Sequence, residues 1–536
     1  MPPRTQPPTL QFPLTRRPLP RGLFERLKSG WSVVLGKALT AEGAILLVAL
    51  GVGAFLRVWE INRLGLNSDE AVYAGQAAAI AGQSSLEPFF SAFRAHPLLF
   101  QVILSVAYHL PGDIDLWGRL LSAAIGLVTV YVTYKLGVLL YGRRAGAIGA
   151  LFLALMPYHV LVTRQILLDG PMTLFATLGL YLVARYVTTE RAPWLYAAGA
   201  ALGLAVLSKE TSLVLLGGIY AFFALTPEVR LRIREVVGSL AVLGVVFMAF
   251  PLALSLAGKS STGGNYLAWQ LFRRPNHAWT FYPTEVPEAL GLLVVFTAIV
   301  GLWLLRRENS WRETLLLCWI AVPVIFFQIW PVKGFQYLLP AAPAVAILAA
   351  RTLTRWSPSA GGRHASRTAL FAPLAVGAIA LTLVVSSLGR IEPSKSGDLL
   401  AGSGGMPGGR EAGEWIERNV PQGATLMTIG PSMANIVQFY GKRKAYGLAV
   451  SPNPLHRNPS YEPLHNPDRV IRDNEIQYVV WDSFSAARSP YFSRSLKRFA
   501  DRYNGRAVYT ETISVPTASG ERAKKPLITI YEVQPS

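Results

Sequence analysis

The stretch Ala44–Val58, AILLVALGVGAFLRV, indicates the class of the fold. Arg57 is the one charged side chain in it, and an apolar run of this length approaches the roughly 20 residues that cross a hydrocarbon core as a helix. Runs of the same kind recur at 148–162 and 370–385. The sequence therefore predicts a polytopic α-helical membrane protein.

The composition of the whole chain favours the same class. Of its 536 residues, 51% are hydrophobic and 15% are charged, whereas a soluble domain carries about 25% charged residues. The formal net charge of +20 could suit nucleic acid, but much of it lies in short loops, where the positive-inside rule explains it. We therefore expect the lipid bilayer as a partner and no nucleic acid. The single cysteine, Cys318, excludes an internal disulfide.

Hydrophobic windows predict about 11 transmembrane helices, with 11–13 as the range. They lie at 42–60, 117–140, 145–162, 168–187, 194–207, 211–227, 236–257, 287–305, 313–330, 335–351 and 368–388. The apolar segment 96–110 is short, so it is either a further span or a helix at the lip of the membrane.

Charge decides between these two topologies. Leaving out the segment 96–110 places Arg143, Arg144 and most other loop arginines on one side, as the positive-inside rule requires. This map puts the N-terminus in the cytoplasm and the C-terminus outside the cell (plasma) membrane. Its external face gathers the long loop 61–116 and the turns near 164–169, 208–211, 258–286 and 331–336.

Four regions follow from this map. Residues 1–40 are expected to form a basic cytoplasmic tail, because no apolar stretch comes early enough for a cleavable signal peptide. Residues 41–389 form the transmembrane domain, 390–410 a linker rich in Gly and Ser, and 411–536 a soluble extracytoplasmic α/β domain. Within this last domain the patterns predict a helix at 411–419 and strands at 425–429, 478–481, 507–514 and 527–533.

Two adjacent acids, Asp69 and Glu70, stand in the external loop that follows the first span. The same loop carries Tyr73, Arg94 and His96, and a long ordered loop between spans is uncommon unless it is functional. The structural alternative is that Ser68 or Asp69 only caps a helix over 70–81. From the residues alone, both interpretations stay open.

Charged side chains recur in two of the short external turns. Arg164 and Asp169 delimit one of them, where Asp169 before Gly-Pro would also make a good helix cap. Lys209 and Glu210 form a charged pair at membrane depth, which indicates either a functional site or mutual neutralisation.

A third turn combines Lys333 with Gln336 and Tyr337. Lys333 has no acid near it in sequence, which favours an anionic ligand as its partner. On the predicted topology, acids and cations from all these loops meet at one face of the bilayer. Such a face would be able to bind a lipid phosphate and activate a nucleophile beside it.

The order of these motifs resembles that of the GT-C glycosyltransferases of family 39, which include dolichyl-phosphate-mannose protein mannosyltransferases and the aminoarabinose transferase of lipid A. Asp69-Glu70 matches an acidic pair in the first external loop. His96-Pro97-Leu98-Leu99 stands where a His-Pro-Pro-Leu element is usual. The resemblance continues through Arg119-Leu120, the 164–169 turn, Lys209 and the turn from Gln336 to Pro340, with Gln336 where arginine is common.

This resemblance covers roughly residues 40 to 350 and implies a GT-C-like fold and a membrane mannosyltransferase-like enzyme. The donor would be a polyprenyl-phosphate monosaccharide, and the acceptor a hydroxyl of a protein, a glycolipid or a cell-wall glycan. The sugar would be transferred with inversion, Asp69 acting as general base and Glu70 supporting it as the second acid of the catalytic pair.

Further roles are implied for the surrounding side chains. The cations expected to bind and stabilise the leaving phosphate are Arg94, Arg164, Lys209 and Lys333. The groups that would orient the acceptor or a cation are Tyr73, His96, Asp169, Glu210, Gln336 and Tyr337. No cofactor is certain, since Mg²⁺ or Mn²⁺ would be compatible with the acids but no motif requires a metal.

Two other functions fit parts of the sequence. A transporter or flippase of lipid-linked sugars would grip phosphate with the same cations, but it predicts charges near the bilayer midplane rather than at the ends of spans. An assembly protein anchored in the membrane would not need eleven spans. Transfer of a sugar remains the leading hypothesis, and a flippase is its alternative.

Overall fold

A computed structural model of the protein describes residues 40–304, 306–308, 310–355, 371–391, 404–516 and 522–534. The predicted tail at 1–40 lies outside these residues except for Thr40. Residues 392–403, which make up most of the predicted linker, lie outside them as well. The described residues form a bundle of apolar helices followed by a mixed α/β domain.

Seven helices in the described part are long and apolar enough to cross a membrane, and two bent helix pairs raise the number to nine. The seven are Ala41–Val58, Ile114–Tyr141, Asp169–Thr189, Ile233–Leu256, Trp311–Ile329, Phe335–Arg355 and Phe371–Ile391. Two shorter apolar helices are Ala192–Ser208 and Glu210–Leu225. The prediction of a polytopic helical membrane protein is therefore confirmed, with seven to nine candidate spans.

Two of the predicted spans are broken rather than straight. The helices Arg143–Leu155 and Pro157–Thr163 meet at 60°, because Met156 before the proline takes an extended backbone (ψ 121°). The helices Phe281–Leu290 and Leu292–Leu304 meet at 96°. Gly291 joins them with a φ of +90°, a conformation that glycine adopts without steric cost.

Helices also occur in the segments between the spans. The ambiguous segment 96–110 contains the helix Leu99–Ala107, which at nine residues is only about 14 Å long and too short to cross a hydrocarbon core. The other such helices are Ser68–Ile80 and Ser261–Leu271. Both belong to segments that the sequence assigned to the external face.

The C-terminal domain is built on a five-stranded sheet, whose strands are β1 Thr425–Thr428, β2 Lys444–Gly447, β3 Tyr478–Asp482, β4 Arg506–Pro516 and β5 Arg522–Glu532. Their order in the sheet is β2-β1-β3-β5-β4. Its helices are Gly409–Asn419, Pro431–Gly441, Pro467–Arg472, Ser483–Arg488 and Pro490–Arg502. The sequence predicted four of the strands and missed β2, which has only four residues and no long alternating pattern.

Both faces of the central strands β1 and β3 are buried. Leu426 and Val480 lie in the apolar core that continues into the helical bundle, whereas Met427 and Val479 pack into a separate core with Leu496. Neighbouring residues of a strand point to opposite faces. Strands β1, β2 and β3 are parallel, so their carboxyl ends meet at one edge of the sheet.

The C-terminal domain is attached directly to the 61–116 loop. Gly65 and Met406 form an isolated antiparallel bridge, in which the Met406 N–H donates to the Gly65 carbonyl at 2.9 Å. Arg410 forms an ion pair with Asp115 at 2.9 Å. The hydroxyl of Tyr440 donates to the same carboxylate and accepts the Leu66 N–H at 2.9 Å. These contacts hold the domain over the start of the Ser68–Ile80 helix.

Candidate active site

Asn67 caps the helix that carries Asp69. Its side-chain oxygen accepts the N–H groups of Asp69 and Glu70 at 2.9 and 3.0 Å, and Glu70 Oε2 accepts the Asn67 N–H at 3.0 Å. The alternative interpretation left open by the sequence, in which Ser68 or Asp69 only caps this helix, is wrong, because Asn67 forms both halves of the capping box with Glu70. Asp69 is thereby left free of a capping role.

The carboxylate of Asp69 lines a cavity of about 830 Å³. It stands in the first turn of the Ser68–Ile80 helix, where the helix dipole stabilises negative charge. In the part of the chain that the structure describes, no hydrogen bond or ion pair engages this carboxylate. Its oxygens are therefore available to a ligand in the cavity.

Glu70 has the opposite surroundings. It is fully buried and absent from the described cavity lining, and its two oxygens accept Nε and Nη2 of Arg119, each at 2.9 Å. Its Oε1 also accepts the Ile166 N–H at 3.1 Å. Glu70 thus ties the start of its own helix to the Ile114–Tyr141 helix and to the 164–169 turn, which fixes the position of Asp69.

Lys209 enters the same cavity from the turn before Glu210. Its Nζ donates to both oxygens of Asp169, at 2.9 and 2.8 Å, and lies 4.9 Å from the centre of the Tyr337 ring. Asp169 is buried behind it and does not line the cavity among the described residues. The pair therefore presents a positively charged amine to the cavity and keeps its carboxylate behind.

His96 is held by contacts to both ring nitrogens. Nδ1 lies 2.9 Å from Glu210 Oε2, and Nε2 lies 3.2 Å from the Tyr266 hydroxyl. Tyr73 meets the ring edge-on, with the centroids 6.0 Å apart. Burial, followed by the negative charge of Asp69, raises the pKa of Tyr73, so its phenol stays protonated. His96 and Tyr73 line the cavity, and Glu210 fixes the His96 ring.

Lys333 reaches the cavity from the turn before the Phe335–Arg355 helix. Its Nζ donates to the carbonyls of Gln328 and Trp330, each at 3.1 Å, and burial lowers its pKa. Asn276 fixes the turn through two 2.8 Å hydrogen bonds with the Lys333 backbone. A third amine proton of Lys333 remains for a ligand.

Gln336 and Tyr337 complete this wall of the cavity. Within the described residues, Gln336 Oε1 is buried and has no hydrogen-bond partner. Such an oxygen favours a ligand that donates a hydrogen bond, because an unsatisfied buried acceptor destabilises the site.

Two of the predicted phosphate ligands lie elsewhere. The Arg164 guanidinium donates to the carbonyls of Leu56 and Trp59, the latter at 2.7 Å. It therefore closes the end of the first span rather than lining the cavity. Arg94 donates to Asn435 Oδ1 at 3.3 Å and lines a neighbouring cavity of about 670 Å³. The structure thus separates these two cations from Lys209 and Lys333.

The C-terminal domain supplies the remaining wall, which the sequence did not predict. Residues that follow the carboxyl ends of β1, β2 and β3 line the cavity, among them Ser432, Val450 and Phe484. The carboxyl edge of parallel strands is where open α/β sheets bind ligands. A polar residue directly after a predicted strand, such as Asp482, is the signal from which this edge could have been found.

Two charged side chains of this edge face the cavity. Asp482 accepts the Ser485 N–H at 2.6 Å through Oδ1, whereas Oδ2 is buried without a hydrogen-bond partner in the described residues. Burial raises the pKa of Asp482 to about 6. Burial lowers the pKa of Arg488, and the negative charge of Asp69 opposes that shift. Arg488 therefore lies close enough to Asp69 for the two charges to interact.

Positive charge dominates the described lining. The cations are Lys209, Arg273, Lys333, Arg457 and Arg488, and the acids are Asp69 and Asp482. Arg273 is held over the Trp269 ring at 4.5 Å and by Gln270 at 3.0 Å. The cavity thus combines an available carboxylate with a surplus of cations. Such a site suits a reaction between an anionic ligand and a second molecule that a base must deprotonate.

Comparisons with known sequences identify relatives. Residues 95–254 match the family described as dolichyl-phosphate-mannose-protein mannosyltransferase. An undecaprenyl phosphate-alpha-4-amino-4-deoxy-L-arabinose arabinosyl transferase of Pectobacterium carotovorum is 24% identical over 300 residues. The match covers 53% of this chain and 53% of that protein, so the chain spans about half the length of this curated relative.

Solved structures share the fold over almost the whole chain. ArnT from Cupriavidus metallidurans bound to undecaprenyl phosphate has a TM-score of 0.64 at 15% identity, covering 94% of this chain and 98% of that one. The oligosaccharyltransferase AglB from Archaeoglobus fulgidus, in complex with an inhibitory peptide and a dolichol-phosphate, has a TM-score of 0.59 at 13% identity, covering 91% and 74%. The chain therefore has a GT-C fold like that of ArnT, and its residues 95–254 match the dolichyl-phosphate-mannose-protein mannosyltransferase family, the relationship that its motifs predicted.

Proposed function

We propose that this chain is a membrane glycosyltransferase that moves a monosaccharide from a polyprenyl-phosphate carrier to a hydroxyl of a protein, a glycolipid or a cell-wall glycan. The observation that carries the proposal is the available carboxylate of Asp69 in one cavity with Lys209, Arg273 and Lys333. The relatives support it, since one is named for undecaprenyl phosphate-aminoarabinose and a structure of the same fold holds undecaprenyl phosphate.

The reaction is a single displacement at the anomeric carbon. Asp69 takes the proton of the acceptor hydroxyl as the oxygen of that hydroxyl forms a bond to the anomeric carbon. The bond from that carbon to the phosphate oxygen breaks, and the lipid phosphate leaves with the electron pair. Attack from the side opposite to the phosphate inverts the configuration. Proton transfer to a positioned base typically contributes 10²- to 10⁴-fold in rate.

The leaving group needs positive charge rather than a proton, because a phosphate ester is stable as an anion. Lys209 retains one amine proton after binding Asp169, and Lys333 retains one after binding two carbonyls. We assign the phosphate to these two lysines and to Arg273, which approach the cavity from separate turns. Cations held in fixed positions around developing negative charge stabilise it more than mobile ions in bulk water do.

The remaining predicted residues position the reactants. Tyr73, His96, Gln336 and Tyr337 line the cavity and present hydrogen-bonding groups to the acceptor. Asp169 and Glu210 act through the side chains they hold, and Glu70 acts through the backbone of the helix that carries Asp69.

No residue is assigned to a divalent cation. Within the described ranges, no three His, Cys, Asp or Glu side chains are grouped in a way that would hold a metal ion. We therefore write the reaction with protein cations alone on the phosphate.

We also propose the full topology of eleven spans, with the N-terminus in the cytoplasm and the C-terminal domain outside the cell membrane. Each predicted span coincides with a helix, a bent pair or one of the two shorter apolar helices. Labelling of single cysteines by a membrane-impermeant maleimide in a Cys318→Ala background tests it. Ser84→Cys should react in intact cells, and Arg307→Cys only after permeabilisation. The reverse pattern would overturn the topology.

The central test compares Asp69→Asn with Asp113→Asn. Both remove one negative charge from the same loop, but Asp113 is exposed and makes no side-chain capping bond. The purified variants would be assayed with a panel of undecaprenyl-phosphate sugars by the release of undecaprenyl phosphate in the presence of membrane glycolipids and glycans. Asp69→Asn should lose 10²- to 10⁴-fold in rate and keep donor binding, while Asp113→Asn keeps both. Undiminished transfer by Asp69→Asn would exclude this mechanism.

A further inference from the structure

A second cavity, called here the Arg94 cavity, lies beside the candidate active site. It has a volume of about 670 Å³ and lies between the segment 88–94, the start of the Ser261–Leu271 helix and the Pro431–Gly441 helix of the C-terminal domain. Three residues line both this cavity and the Asp69 cavity, namely Pro431, Val450 and Tyr461. The two cavities therefore share a wall, and a molecule that reaches Asp69 is able to extend into the Arg94 cavity.

Arg94 is held in this cavity by neutral groups. Its guanidinium lies over the Tyr461 ring, 5.2 Å from the ring centre, and its Nη2 donates to Asn435 Oδ1 at 3.3 Å. The Ser460 hydroxyl donates to the Arg94 carbonyl at 2.9 Å and fixes the backbone. Nη1 is buried and has no hydrogen-bond partner among the described residues. An unsatisfied buried donor destabilises the fold unless a ligand supplies the acceptor.

Positive charge exceeds negative charge around the Arg94 cavity. The cations are Arg94, Lys259 and Lys444, and Glu462 is the one acid among the described residues that line it, which leaves a net charge of +2. Lys444 Nζ lies 3.7 Å from Glu462 Oε2, so these two charges match each other. Lys259 Nζ donates to the neutral Ser91 Oγ at 3.1 Å and retains two protons. Arg94 and Lys259 are thus the cations available to an anionic ligand.

The uncharged part of the lining suits a sugar ring. Asn265 and Gln438 contribute amide groups, and the aromatic rings are those of Phe89, Phe93, Tyr446 and Tyr461. Ligand pockets commonly combine apolar and aromatic surface with a few polar groups, in volumes of about 300–1,000 Å³. All these residues lie in the predicted external segments or in the C-terminal domain, which favours a polar part of a substrate over a lipid chain.

We propose that the Arg94 cavity binds an acidic sugar of the acceptor, whose carboxylate or phosphate is held by Arg94 and Lys259. A guanidinium group matches either anion through two parallel hydrogen bonds. The acceptor is the substrate concerned, because the phosphate of the donor is already assigned to cations of the Asp69 cavity. The inference rests on the proposed sugar transfer and adds that the acceptor is an acidic glycan or glycolipid.

Binding of small molecules to the purified full-length protein in neutral detergent at pH 7 tests the site without any sugar transfer. The probes are glucuronic acid, glucose 6-phosphate, glucose and acetyl-aspartate amide, each titrated and followed by ligand-observed NMR. The variants are Arg94→Gln and Arg94→Lys. The matched control, Arg494→Gln, makes the same change at an exposed position that does not line the cavity in the described part of the chain. Lys209→Gln reports on binding in the Asp69 cavity.

We expect glucuronic acid or glucose 6-phosphate to bind about tenfold more weakly to Arg94→Gln, the size of one lost charge-assisted hydrogen bond. Arg94→Lys should lose less, and Arg494→Gln should bind as the unmodified protein does. The acid that binds more tightly to the unmodified protein identifies the anion as a carboxylate or a phosphate. Three results would overturn the proposal: glucose binding as tightly as both acids, acetyl-aspartate amide binding more tightly than either, or a larger loss in Lys209→Gln than in Arg94→Gln.

A kinetic measurement links the site to the acceptor. With membrane glycolipids and glycans as acceptors, Arg94→Gln should raise KM for the acceptor about tenfold and leave KM for the donor unchanged. An unchanged KM for the acceptor would exclude this role of the cavity. An absence of sugar transfer by the unmodified protein would instead refute the proposed function, and it would leave the binding of the two acids as measured.

Discussion

Arg119 and Glu70 are joined by two parallel hydrogen bonds of 2.9 Å, and both side chains are withdrawn from solvent. Because Glu70 also receives the N–H groups of Asn67 and Ile166, this pair sets the position of the first helical turn after the first span. Two adjacent acids in the sequence thus have separate tasks. Glu70 holds the backbone, and Asp69 is presented to the cavity.

The first prediction concerns the buried pair. Glu70→Gln should lower the free energy of unfolding by about 3–5 kcal/mol, because it leaves the Arg119 charge buried without a counter-charge. Unfolding in mixed micelles of increasing SDS content measures this. The control is Glu60→Gln, which breaks an exposed pair with Arg63 of 2.7 Å and should cost no more than about 1 kcal/mol. Equal losses in the two variants would show that the pair does not stabilise the fold.

The second prediction separates the cations of the site. Lys209→Gln should lower kcat/KM for the donor by roughly 10²- to 10³-fold, the effect of removing one group that stabilises developing negative charge. Arg94→Gln should leave donor kinetics nearly unchanged, because its guanidinium contacts Asn435 outside the Asp69 cavity. Initial rates at varied donor concentration measure both. A larger loss of kcat/KM in Arg94→Gln than in Lys209→Gln would contradict the assignment of the donor phosphate to Lys209.

The third prediction concerns Arg488, a residue of the C-terminal domain that lines the Asp69 cavity. Arg488→Gln should lower kcat/KM for the acceptor about tenfold, as expected for one lost charge-assisted contact. Arg494→Gln makes the same change at an exposed position of the following helix and should have no effect. Kinetics at varied acceptor concentration give the comparison, and indistinguishable variants would mean that Arg488 does not contact the acceptor.

The fourth prediction is a dependence of stability on pH. The pKa of Asp482 rises on folding from 3.8 to about 6, so between these values the folded state binds more protons than the unfolded state. The contribution of Asp482 to the unfolding free energy therefore falls as the pH rises through this window, by roughly 3 kcal/mol. Asp482→Asn keeps a capping side chain and cannot ionise.

Unfolding of the two proteins at pH 4 and pH 6.5 isolates this effect. The unmodified protein should lose stability relative to Asp482→Asn as the pH increases, since other titrating groups are common to both. A constant difference between them across the window would refute the assigned burial of the Asp482 carboxylate.

The helical bundle was predictable because the signal for a span is local. A bilayer requires long apolar segments wherever they stand in the chain, and each predicted span coincides with helical structure. The breaks at Met156 and Gly291 were also present as signals, in the proline that follows one and in the glycine itself. The cap at Asn67 was missed because three neighbouring residues are all good caps, and only the backbone geometry selects one.

The partners of the charged residues were less predictable, because they are contacts between distant segments. The sequence identified Arg164 as an unusual cation but carries no information that its guanidinium meets the carbonyl of Leu56, 108 residues away. It also gave no sign that Arg488 lies close enough to influence Asp69. Such contacts depend on how distant segments pack in three dimensions, whereas hydropathy depends only on neighbours in the chain.

The bridge between Gly65 and Met406 has a consequence for engineering hybrid enzymes. Because Arg410 and Tyr440 both bind Asp115 and Tyr440 also binds the Leu66 N–H, the C-terminal domain and the 61–116 loop contact each other through specific residues. A C-terminal domain grafted from a relative would meet a 61–116 loop whose surface fits a different domain. Exchange of acceptor preference between such proteins should therefore succeed when the segment 61–66 and Asp115 travel with the domain, and fail when the cut is made in the linker alone.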